Sequence, residues 1–75
     1  MIDEEHEIEK IREELIELRK TISQEEKRPA FYIFNNKELE KILEVMPRNI
    51  EGFKNILPEY KIESYGERIL EIIDN

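Results

Sequence analysis

The residues of this chain best equipped for chemistry are two rings and four cations: Phe31 and Tyr32 in a short apolar run, with Lys27 and Arg28 just before it and Lys37 and Lys41 just after. A ring with a free face stacks on a nucleobase and a neighbouring cation neutralises a phosphate, so this combination fits a single-stranded nucleic acid. Stacking demands exposure, whereas filling a core demands burial. Because aromatics bury so much area, capping of the core by both rings is the favoured reading, although successive side chains of an extended segment point in different directions and leave room for one to be exposed. Phe34, Phe53 and Tyr65 fall on apolar faces and are assigned to the core.

Catalytic chemistry finds no comparable grouping. There is no glycine-rich phosphate loop, no Gly-x-x-x-x-Gly-Lys, no His-Glu-x-x-His and no cysteine nucleophile. Acid pairs such as Glu13 and Glu17 lie four residues apart on what reads as a solvated helix face, and a two-carboxylate site needs a cleft that a core this small rarely builds. His6 stands alone beside Glu5 and Glu9 on an acidic terminus, and a single imidazole without converging ligands is read as surface. No enzyme activity, cofactor or metal is expected.

The elements that must position the rings are helical. Ile8, Ile11, Leu15, Leu18 and Ile22 recur at steps of three and four and predict a long amphipathic helix over residues 3–23. Asp3, Glu4 and Glu5 suit its positive N-terminal end, and Arg19 and Lys20 the opposite one. The same spacing fits two coiled-coil heptads, fewer than the roughly three to four such an assignment needs, so packing within the chain is expected. Residues 24–28 read as a loop and 29–34 as an extended apolar segment opened by Pro29. Asn35 then caps a helix over about 36–46, with Glu38 placed to complete a capping box, Phe34 to pack on Leu39, and Pro47 to end it. A short helix over 50–56 follows Asn49, and a last one over 59–73 carries Ile62, Tyr65, Ile69 and Ile73, with Gly66 marking either a kink or the close approach of another helix. The fold class is therefore all-α, a compact single-domain bundle of four to five helices occupying residues 1–75.

Charge narrows the partners. The 75 residues carry a net charge of −7, which taken whole argues against a strong polyanion binder. It is unevenly spread: Met1 to Leu18 holds eight acids against Lys10 and Arg12, whereas Arg19 to Lys54 holds eight bases against six acids. A modest basic patch of Arg19, Lys20, Lys27, Arg28, Lys37 and Lys41 can therefore coexist with an acidic first helix. Nothing approaches the ~18 apolar residues of a membrane span, and no secretory apolar segment follows Met1. A soluble, intracellular, cytoplasmic monomer without a membrane partner is expected.

Several of these features, in this order, resemble the HRDC domain, the helicase and RNase D C-terminal module. The likeness runs from about Leu15 to Ile73. Leu18-Arg19 with Ile22 is similar to the end of that family's first helix. Pro29 through Phe34, Asn35, Leu39 and Ile42 are similar to its central loop and second helix, Met46-Pro47 to the helix end, and Ile62-Glu63-x-Tyr65-Gly66-Glu67 with Ile69, Leu70 and Ile73 to its closing Tyr-Gly helix. The resemblance implies a non-catalytic accessory domain of a larger DNA-processing enzyme, most like that of RecQ-type helicases, with weak single-stranded DNA binding. It places the ring just after the proline, here Phe31, at the contact, with Lys27, Arg28, Lys37 and Lys41 around it. Ile56-Leu57-Pro58 stand where many members have a Gly-x-Gly turn, so no backbone contact to phosphate is implied there. The alternatives are a module that docks its acidic first helix on another protein or on its parent's catalytic core, and the equivalent domain of an RNase D-like exonuclease, whose ligand is RNA.

Overall fold

The computed structural model describes residues 4–74, with side chains from Glu7 onward. The expectations placed on Asp3 and on the side chains of Glu4, Glu5 and His6 lie outside the described residues. Four helices follow in order, α1 (Glu4–Glu26), α2 (Ala30–Ile33), α3 (Asn36–Val45) and α4 (Glu59–Asp74), with a single 3₁₀ turn at Ile50–Phe53 between the last two. No strand occurs among the described residues, and the fold is the all-α bundle that the apolar spacing predicts.

The predicted face of α1 is the one it buries. Leu15 and Ile22 are fully enclosed, with Ile8, Ile11 and Leu18 partly buried against the same core. The helix continues through Glu26, three residues past its predicted end. Its stop is a left-handed residue at Lys27 (φ 56°), after which the Arg28 N–H donates to the Ser23 carbonyl at 3.0 Å, the six-to-one bond of a Schellman close. Lys27 takes the place usually held by glycine.

The segment 29–34 departs from the expected extended run. Only its ends are extended, Pro29 at φ −60°, ψ 148° and Phe34 at φ −159°, ψ 139°; the four residues between them coil into α2. Packing explains the difference. An alternating strand sends Ile33 and Phe34 to opposite faces, whereas one helical turn followed by an extended residue buries both completely and leaves Phe31 and Tyr32 outside.

At α3 the capping box forms in full. Asn35 Oδ1 accepts from the Glu38 N–H and the Asn35 N–H donates to Glu38 Oε1, each at 2.8 Å. Phe34 and Leu39, the staple positions, are both in the core. Met46 closes the helix in the left-handed region (φ 50°). The predicted 50–56 helix is shorter than expected, a 3₁₀ turn ended at Phe53 and capped by Asn49, whose side chain accepts from Gly52 N–H at 3.0 Å. Gly52 is required there, because a Cβ would meet that of Pro47 at 2.6 Å. Gly66 serves close approach, not a kink: α4 runs unbroken past it, and a Cβ would stand 3.1 Å from Ile50 Cδ1.

Among the described residues one charged side chain, that of Lys61, is buried. Lys61 is 6% exposed, and its Nζ donates to Glu38 Oε1 at 2.8 Å, the same oxygen that receives the Asn35 N–H. The first turn of α4 is thus tied to the cap of α3.

Candidate nucleic-acid interface

The short α2 decides where the rings go. Phe31 is 68% exposed and Tyr32 37%, so burial of both rings, the favoured expectation, is overturned. Two consecutive residues of a helix point about 100° apart around its axis, and the two rings accordingly have different surroundings.

Phe31 borders an open groove together with Ala30, Arg19, Asn35, Asn36 and Lys37. It offers a stacking face, Lys37 a cation, and the asparagine side-chain amides N–H donors. Lys41 lies one turn beyond Lys37 on α3, exposed on the same side of that helix. The dipole at the N-terminal end of α3 adds partial positive charge beside Lys37.

Arg19 has another role than the basic patch assigned it. Its Nη1 donates to the Phe34 carbonyl and to Asn36 Oδ1, both at 3.1 Å, and its guanidinium lies 5.6 Å from the centre of the Phe34 ring. It pins the α2–α3 junction to α1 and so forms the wall of the groove.

Tyr32 lies within a stack. The Arg28 guanidinium sits over its ring at 4.5 Å, and the ring of Tyr60 from α4 approaches with centroids 6.3 Å apart at a tilt of 48°. Arg28 is steadied from below by Glu26, whose Oε1 is 3.7 Å from Arg28 Nε and also accepts from the Tyr65 hydroxyl at 2.8 Å. Burial, reinforced by that hydrogen bond to a carboxylate, pushes the Tyr65 pKa up to about 12. Tyr65 therefore acts as a buried donor that sets Glu26, which in turn holds Arg28.

The six sequence candidates thus divide. Phe31 and Lys37 share the groove with Lys41 beside it, Arg28 and Tyr32 form the adjacent stack, and Lys27 stands exposed at the end of α1 outside the groove. Sequence reasoning missed Tyr60 and Asn36 as members of this surface. Nothing local marks Tyr60, which reaches it only through the packing of α4.

A second surface has the opposite character. Glu13, Glu14 and Glu17 of α1 and Glu71 of α4 rim a groove whose apolar part comes from Leu18 and Ile72, with no basic side chain lining it. Among the described residues no group of three or more acidic or histidine side chains is arranged to hold a metal ion, and no helix is long and apolar enough to cross a membrane.

The family model of the HRDC domain matches residues 8–73, nearly the whole chain. No curated protein and no solved structure matches it.

Proposed function

We propose that this chain, which belongs to the HRDC domain family, binds single-stranded DNA weakly as the accessory domain of a RecQ-type DNA helicase. HRDC domains are in general non-catalytic, nucleic-acid-binding accessory domains of helicases and RNase D enzymes. The observation that carries the reading is the groove lined by Lys37 and by Phe31, whose ring is 68% exposed, with Lys41 one turn further along α3. Phe31 takes a base, Lys37 and Lys41 take phosphates along α3, and Arg28 and Lys27 extend the cationic path toward the end of α1. The acidic half of α1 limits affinity, because a strand within about 8–10 Å of it is repelled.

The test is fluorescence anisotropy of a labelled oligothymidylate across a salt series. Four cations neutralising phosphates give a slope of log affinity on log salt of about −3, from about −0.7 per phosphate on a single strand. Absence of binding at low salt, or binding indifferent to salt, contradicts the proposal. The same titration with oligouridylate distinguishes a helicase parent from an RNase D-like one, where RNA is the tighter ligand.

The acidic groove between α1 and α4 favours a second reading, a docking surface for another protein or for the parent's catalytic core. Its four glutamates around Leu18 and Ile72 suit a basic segment with an apolar anchor.

A further inference from the structure

Tyr60 is 52% exposed, although its ring lies beside Tyr32 and belongs to the same stack as Arg28. Tyr32 has the Arg28 guanidinium over it and the tilted Tyr60 ring beside it, and at 37% it is the less exposed of the two tyrosines. Tyr60 is the outer member and keeps more than half its surface open. Glu59, beside it in sequence, and Glu63, three residues on, line a different groove with Ile50, Lys54 and Leu57. The cation stacked on this ring system is Arg28, held in place through Glu26.

We propose that Tyr60 is a second base-stacking platform, and that a single strand crosses α2 with one base on Phe31 and another on Tyr60 while Arg28 takes phosphate between them. This rests on the nucleic-acid reading above and adds to it a contact from α4, a helix that reading does not use. The Tyr32 ring, with its centroid 6.3 Å from that of Tyr60, restricts the Tyr60 side chain and so lowers the freedom lost when a base arrives. Stacking asks only for a π-face, which makes the site tolerant of base identity. It also predicts a minimum length, since an oligonucleotide too short to span α2 reaches only one ring.

The experiment measures oligothymidylate affinity by anisotropy for the unsubstituted chain, Tyr60→Ala, Tyr60→Leu, Tyr60→Phe and Phe31→Ala, with the helical circular dichroism of each compared first. Both rings are exposed, so all four variants are expected to fold. Tyr60→Ala and Tyr60→Leu each weaken binding by about 5- to 160-fold, the range for loss of one stacked base, while Tyr60→Phe stays within about twofold of the unsubstituted chain. The leucine variant keeps an apolar side chain against Tyr32 but has no π-face, so its loss separates stacking from support. If Phe31→Ala weakens binding and both Tyr60→Ala and Tyr60→Leu leave it unchanged, the second platform is overturned and the Phe31 site stands. If the unsubstituted chain does not bind at low salt, the nucleic-acid reading fails and the second platform with it.

Discussion

Replacing Glu38 by alanine is expected to cost far more stability than replacing its partner Lys61 by methionine, and the asymmetry follows from how the two side chains are satisfied. The Lys61 side chain is 7% exposed and Nζ has Glu38 as its partner; the Glu38 side chain is 14% exposed and keeps the Asn35 N–H as a second donor. Glu38→Ala therefore strands a buried ammonium and removes half of the capping box. Breaking a buried pair from one side costs about 3–5 kcal/mol, and losing the cap about 1 more. A chain of this length holds only about 4–11 kcal/mol in all, so the variant lies near the edge of folding. Lys61→Met removes the charge, keeps an unbranched apolar stem in the same space and leaves the capping box intact, for a cost of about 1–2 kcal/mol. The double variant recovers part of the Glu38→Ala loss, because no ammonium is then left unpaired. Urea unfolding followed by circular dichroism at 222 nm measures all three. Equal losses in the two single variants, or a double variant no better than Glu38→Ala, refutes the argument that Lys61 depends on Glu38 and not the reverse.

Two further outcomes follow from the helix ends and the buried tyrosine. Tyr65 titrates at about 12 in the folded chain against about 10 when unfolded, so its stabilising contribution is complete below pH 10 and disappears as pH rises to 12; the loss is about 2–3 kcal/mol. Tyr65→Phe lacks that loss and is about 1 kcal/mol less stable at neutral pH, which urea midpoints at pH 7, 10 and 11.5 compare directly. Lys27→Gly relieves the left-handed backbone at φ 56° and raises stability by about 0.5–1 kcal/mol after the glycine's greater freedom in the unfolded chain is counted. The same substitution removes one cation from the proposed path and makes the salt slope shallower by about 0.7, so stability and binding move in opposite directions.

Much of the fold is legible in the sequence because its determinants are local. Asn35 and Glu38 are three residues apart and form their capping box from side chains and backbone of one turn, so the pattern alone predicts the geometry found. The steps of three and four from Ile8 to Ile22 and from Ile62 to Ile73 likewise mark the buried faces of α1 and α4. Residues 30–33 are different: four apolar residues fit a strand or one turn of helix equally well, and what decides is that Ile33 and Phe34 must enter the same core. Lys61 reads as an ordinary surface lysine until α4 docks on the cap of α3. Arg19 reads as part of a basic patch because its partners, Phe34 and Asn36, lie 15 and 17 residues further on. The candidate surface shows the same division: Phe31 and Lys37 can be named from their places around Pro29 and Asn35, but the exposure of Phe31, against the favoured burial of both rings, and the place of Tyr60 appear only once the helices are packed.

The most direct test of the central claim is an NMR titration of the isotopically labelled chain with a short single-stranded oligonucleotide at low and at moderate salt. The expected shifts centre on Phe31, Tyr32, Lys37 and Lys41 and weaken as salt rises. Shifts gathered instead on Glu13, Glu17 and Glu71, or none at high oligonucleotide concentration and low salt, would contradict it.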